Sequence, residues 1–162
     1  MIQRAAPILW AGLLLGCFDP VHSDRVEALG PEAPGVPTGP FHRPGQPCTV
    51  CHGGSGPGSP AFDLAGTVFT LKGESVPAFG ATVRLIDGAG NTQSVGSNEA
   101  GNFWLPESDL VLTFPLWASV EFGGASIEMK TPIFRARSCA ECHGDPPGPG
   151  AVGHVYATKA MP

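Results

Sequence analysis

The sequence predicts a mainly β protein, a small antiparallel β-sandwich flanked by irregular Gly/Pro-rich segments. Three observations predict it. Six or seven short runs rich in β-branched and aromatic residues lie between Gly66 and Lys130, at the spacing of sandwich strands. No stretch carries the apolar period of a convincing amphipathic helix. The 23 glycines and 18 prolines, about a quarter of the 162 residues, break up both ends of the chain and keep the ordered core small.

The elements follow in order. Gly66-Thr67-Val68-Phe69-Thr70-Leu71-Lys72 and Gly80-Ala81-Thr82-Val83-Arg84-Leu85-Ile86-Asp87 read as strands, the second with partial alternation. Asp87-Gly88-Ala89-Gly90-Asn91, ahead of Thr92 to Ser97, is hairpin chemistry, because Gly and Asn take positive φ at low cost. Asn98 to Asn102 turns the chain into Phe103-Trp104-Leu105. Leu116 to Phe122 and Ser126 to Lys130 pair about Gly123-Gly124, with Met129 at a core position.

The flanks read differently. Phe18 to Pro47 repeats Gly-Pro and Pro-Gly steps that fix φ or remove donors. It is expected to be a semi-extended tether with at most a turn of helix at Asp24 to Leu29. Gly53 to Pro60 contains no core-forming side chain and reads as a hinge. The expected organisation is a leader over 1–16, a tether over 17–47, a first motif segment and hinge over 48–61, the sandwich over 62–131 and a second motif segment over 132–162.

The formal net charge is -5, one unit more negative once a leader containing Arg4 is removed. There is no basic run, which argues against a nucleic-acid partner.

One pentapeptide pattern occurs twice, as Cys48-Thr49-Val50-Cys51-His52 and Cys139-Ala140-Glu141-Cys142-His143. C-x-x-C-H is the attachment signature of c-type haem. Two thiols at that spacing reach the two vinyl groups of a porphyrin, and the adjacent imidazole turns under the ring to bind iron. The expected cofactors are therefore two covalently bound haems, on Cys48 and Cys51 and on Cys139 and Cys142, with His52 and His143 as proximal ligands.

His42, ten residues before His52, has a contour of roughly 33 Å in which to fold back over a haem. His154, eleven residues after His143, has a similar reach. They are the candidate distal ligands, each on its own haem or crossed over, with Met161 as a rival at the second site. His22 reads as a solvated tether residue. Arg135 and Arg137 flank the second motif, either as partners of haem propionates or as solvated loop charges.

Leu14-Leu15-Gly16-Cys17 closes a short apolar run that begins after Arg4. The run is too short to span a bilayer, and its end resembles the lipobox of bacterial lipoproteins. That resemblance implies removal of 1–16, acylation of Cys17 and attachment to the membrane through an N-terminal lipid only. It places the chain in the bacterial cell envelope, on the periplasmic face or the outer membrane surface, where c-type haem is attached.

Gly66-Thr67-Val68, Gly80-Ala81-Thr82-Val83-Arg84-Leu85 and Gly101-Asn102-Phe103 resemble the pattern of carboxypeptidase regulatory-like, transthyretin-like domains. Glu99 stands loosely at that pattern's acidic position. The resemblance covers about 65 residues and implies a noncatalytic sandwich serving as a spacer or docking module; it supplies no active-site residues.

Together these readings resemble a dihaem c-type cytochrome lipoprotein. They lead to the expectation of an electron carrier, not an enzyme, passing single electrons between an envelope donor and an envelope acceptor. Two alternatives stand beside it. One is an envelope binding module whose cysteines and histidines hold zinc or form disulfides. The other is a small haem peroxidase-like enzyme, although dihaem peroxidases resemble paired helical domains far longer than this chain.

Overall fold

The computed structural model describes residues 19–54, 56–73, 75–107, 112–144 and 152–158. Seven strands are described, β1 (Phe62–Phe69), β2 (Thr82–Ile86), β3 (Thr92–Gly96), β4 (Asn102–Pro106), β5 (Trp117–Phe122), β6 (Ala125–Glu128) and β7 (Val155–Tyr156). They form two packed sheets, one of four strands in the order β3-β2-β5-β6 and one of three in the order β4-β1-β7.

The four-stranded sheet is antiparallel throughout, with Val83 opposite Val95 on one side and Val120 on the other. Val83 and Leu85 are buried while Arg84 and Ile86 face outward, as the two-residue period requires. Leu64, Val68, Phe103 and Leu116 join them between the sheets. Each such side chain contributes about 1.5–3 kcal/mol through burial. The β2-β3 hairpin is closed by Asp87, whose Oδ1 accepts from Asn91 N at 2.8 Å and Ala89 N at 3.0 Å. Gly123 and Gly124, at φ 57° and 81°, make the β5-β6 turn.

The three-stranded sheet departs from a purely antiparallel plan. β1 runs antiparallel to β4 but parallel to β7, with Val68 opposite Val155 and Phe69 opposite Tyr156. β7 has two residues, too few to leave a period in the sequence. β1 starts at Phe62, four residues ahead of the expected Gly66, because Asp63 interrupts the apolar pattern there. Seven of its eight residues are buried, as in a strand covered on both faces. Leu64 and Val68 point into the core, whereas Thr67 and Phe69 meet Gly45 and His154.

The stretch expected to be a tether is packed against the sandwich. It contains α1 (Pro20–Ala28), capped by the Asp19 carboxylate accepting from His22 N at 3.1 Å, with proline in its first turn. Arg43 then ties the segment to itself. Its guanidinium donates to Leu29 O at 3.2 Å, Gly30 O at 2.6 Å and Gln46 Oε1 at 2.9 Å, and pairs with Glu32 at 3.2 Å. A single helical turn, α2 (Cys48–Cys51), follows. The leader over 1–16, Cys17, Met161 and most of the loop Gly144 to Gly150 lie outside the described residues. Among the described residues no helix is long and apolar enough to cross a membrane.

Candidate functional site

Both pentapeptides fold as tight helical turns against β1. In the first, α2 ends as His52 N donates to Cys48 O at 2.9 Å. In the second, a 3-10 turn over Cys139–Glu141 ends as His143 N donates to Cys139 O at 2.8 Å. A helical turn brings residues three and four apart onto one side, so each motif presents its cysteines and histidine together.

The loop after each motif then returns to the histidine. His52 Nδ1 lies 2.8 Å from Pro60 O, and His143 Nδ1 lies 2.9 Å from Gly153 O. A carbonyl oxygen only accepts, so Nδ1 is the donor, and in the neutral imidazole Nε2 then carries the lone pair. That is the tautomer and orientation of a metal-ligating histidine. His42 repeats the arrangement, with Nδ1 against Gly39 O. Gly56 to Pro60, part of the stretch expected as a hinge, is folded onto the motif. Gly58 N donates to Cys51 O at 2.7 Å, and Phe62 N to His52 O at 2.6 Å.

The second motif reaches β1 from the far end of the chain. Ser138 bridges Ala65 in parallel fashion, and Ala65 N donates to Arg137 O at 2.9 Å. The Arg137 guanidinium pairs with Asp63 at 3.2 Å, which gives it a partner within the protein. Gly66 makes room beside it, since a Cβ there would lie 2.7 Å from Cys139 Sγ.

Each motif opens onto an apolar cleft. The first, about 450 Å³, is lined by Cys48, Cys51, His52, His42, Phe62 and Trp104. His42 and His52 face one another there with ring centroids 5.7 Å apart, and His52 stacks on Phe62 at 4.4 Å. The second, about 910 Å³, contains Cys139, Cys142, His143 and His154, with Arg135 and the exposed Phe134 also on its wall. Both volumes lie in the range of small-molecule and cofactor sites. His154 stacks on Phe69 at 4.4 Å.

Burial sets the state of the thiols. The first cysteine of each motif is pushed up, Cys48 to about 11 and Cys139 to about 12, chiefly by desolvation. The nearness of Cys48 adds to the shift at Cys139, so the leading thiols of the two motifs are neighbours. Ser138, whose buried hydroxyl has no nitrogen or oxygen partner among the described residues, leans toward the Cys48 sulfur and offsets part of its shift. All four motif cysteines are free thiols. Among the described residues no three His, Cys, Asp or Glu side chains converge on a point that could hold a bare metal ion.

Several contributors escaped the sequence reading. Asn102 and Thr67 hold the loop of His42. Asn102 Nδ2 donates to His42 O at 3.0 Å and Pro40 O at 3.2 Å, while Thr67 Oγ1 accepts from Gly45 N at 2.8 Å. No motif marks them; the only sign is a polar pair inside otherwise apolar strands. The Pro60 and Gly153 carbonyls are backbone groups and leave no residue signature. His22, expected to be solvated, has its Nε2 shielded and without a partner among the described residues, on a helix that packs against α2.

No family model, curated protein or solved structure matches this chain.

Proposed function

We propose that the chain is a dihaem c-type cytochrome of the bacterial envelope, lipid-anchored through Cys17, that passes single electrons between redox partners. One observation carries the reading. Each C-x-x-C-H motif stands at an apolar cleft, with its histidine held by a backbone carbonyl on Nδ1 so that Nε2 is the basic nitrogen.

In this reading Cys48 and Cys51 hold one haem, Cys139 and Cys142 the other, and His52 and His143 are the proximal ligands. When bound, haem iron supplies the one-electron couple. The chain's own residues do the rest. The Pro60 and Gly153 carbonyls orient the imidazoles and fix their tautomer. Phe62 and Trp104 exclude water from the first cleft, and Phe134 covers part of the second. The sandwich, by its likeness to carboxypeptidase regulatory-like domains, is a scaffold whose β1 spaces the two sites.

The test is a reduced-minus-oxidised visible spectrum with the intact mass of the mature protein, made in a host with haem-attachment machinery. A c-type band and the mass of two covalent haems are expected. A colourless protein at the mass of the polypeptide would sink the proposal and leave the sandwich as a binding module.

A further inference from the structure

The two clefts stand back to back across β1. Ala65 lines the first together with Cys48 and Cys51. A Cβ on the next residue, Gly66, would lie 2.7 Å from Cys139 Sγ, on the wall of the second. Successive residues of a strand face opposite ways, so only the thickness of β1 lies between the clefts here. Phe103, paired with Gly66 from β4, belongs to the wall of both.

Ser138 joins the two sides. It bridges Ala65 in parallel fashion and is only 1% exposed. Its side chain leans toward the Cys48 sulfur, and its backbone runs directly into Cys139. The charge of Cys48 raises the Cys139 thiol more than that of Cys142 does, although Cys142 belongs to the same motif as Cys139. A second tie lies nearby. His154, on the wall of the second cleft, stacks on Phe69 at 4.4 Å, and its Nε2 is 3.1 Å from where a Cβ on Gly45 would lie, in the loop between His42 and Cys48.

We infer that Cys48, Ser138 and Cys139 form a junction that holds the two haems edge to edge, so that an electron passes between the sites in one direct step. The inference rests on the proposed dihaem reading and adds the route between its two centres. Each leading cysteine is the point at which its motif bonds a porphyrin edge, and neighbouring sulfurs therefore bring two conjugated rings together. The step leaves every bond and proton in place: one iron goes from ferrous to ferric as the other goes from ferric to ferrous.

The experiment is circular dichroism across the Soret region, on the purified, haem-loaded full chain with its two haems counted by mass. Porphyrins held close couple their transitions, so a bisignate couplet is expected, unchanged in shape on dilution. Chains with one motif disabled, by Cys48→Ala with Cys51→Ala or by Cys139→Ala with Cys142→Ala, should each lose the couplet. A two-haem spectrum equal to the sum of the two one-haem spectra would overturn the inference and leave the electron carrier intact. A couplet that fades on dilution would overturn it equally, since the coupling would then lie between molecules. The unaltered chain supplies a second readout that needs no variant. Half-reduction separates the two Soret energies, so the half-reduced spectrum should fall below the mean of the fully oxidised and fully reduced ones; a spectrum equal to that mean would mean uncoupled rings. A colourless chain, evident before any of these spectra, would remove both the inference and the reading beneath it.

Discussion

The Thr67 hydroxyl donates to Asn102 Oδ1 at 2.7 Å, and through that bond the sandwich grips the loop that carries His42. Both side chains are buried, and between them they engage Gly45 N, His42 O and Pro40 O. Thr67→Val leaves Asn102 Oδ1 and Gly45 N short of a partner, and Asn102→Ala takes its donor from His42 O and its acceptor from the Thr67 hydroxyl, while Pro40 O keeps Asn98 Nδ2 at 2.6 Å. Each substitution should cost about 1–3 kcal/mol, the usual penalty for orphaned buried polar groups, read from urea unfolding. In the haem-loaded protein each should also loosen His42, so that rapid carbon monoxide binding rises above the level of the parent chain. Unchanged ligand binding alongside lost stability would confine the pair to a structural role.

Two glycines separate the sites genetically. A Cβ on Gly58 would lie 2.9 Å from His52 Cδ2 and Cε1, and one on Gly66 would lie 2.7 Å from Cys139 Sγ and 2.8 Å from Cys139 Cβ. Contacts that short force the neighbour to move, at about 1–3 kcal/mol for an overpacked site. Gly58→Ala is expected to depress haem loading at the first motif and Gly66→Ala at the second. Peptide mapping of the covalent haem would show which motif is left bare, and equal loss at both motifs in either variant would contradict the assignment.

The thiols should differ in reactivity in the haem-free chain. Burial pushes Cys48 to about 11 and Cys139 to about 12, whereas Cys142 is exposed. The thiolate is the reacting form, and two units of upward shift reduce it about 100-fold at neutral pH. Brief alkylation should therefore mark Cys142 well ahead of Cys48 and Cys139, as followed by mass spectrometry. The sign of the linkage also follows. A thiol raised on folding contributes stability that is complete below the ordinary thiol value and lost as pH climbs through the folded value. The haem-free protein should accordingly weaken from about pH 9 upward.

Asp87 behaves in the opposite sense. The Asn91 side chain, then the backbone N–H groups of Asn91, Thr113 and Ala89, hold its carboxyl below the ordinary carboxylate range despite desolvation. A depressed carboxylate contributes stability that is present above its unfolded value and lost as pH falls through the folded one. The urea midpoint should thus decline as pH falls below about 4. Asp87→Asn should flatten that decline while lowering stability at neutral pH. A variant that retains the full acid slope would show that other groups carry it.

Much of this architecture was legible because strands announce themselves by alternation. Val83 and Leu85 inside, with Arg84 and Ile86 outside, is a pattern that needs no tertiary information. The Asp87 to Asn91 turn and the Gly123-Gly124 turn were equally plain, since each demands a particular residue chemistry. The front segment was harder. Its prolines and glycines argue against regular structure, yet Arg43 replaces a regular ladder with side-chain bonds to Leu29 and Gly30, which no local pattern encodes. The motif residues were visible as a motif, but how each histidine is held was not. Pro60 and Gly153 act through their carbonyls, and any residue at those positions has one. His154 was visible as a histidine within reach; the bond from His143 to the neighbouring Gly153 carbonyl depends on a fold-back that spacing alone does not specify.

The first motif is joined covalently to the start of β1, where Phe62 N meets His52 O. The second is clipped to the same strand at Ala65 through Ser138 and again at Val68 through Val155. Three residues of strand measure about 10 Å, and that ruler, not the Gly/Pro-rich loops, sets the distance between the two anchor points. A hydrogen-bonded register cannot stretch by small amounts, because a slip of one residue turns every side chain to the other face. The gap between the two anchor points is consequently a quantised length: loops around it can lengthen or shorten without altering it, and only an error of a whole residue would be felt.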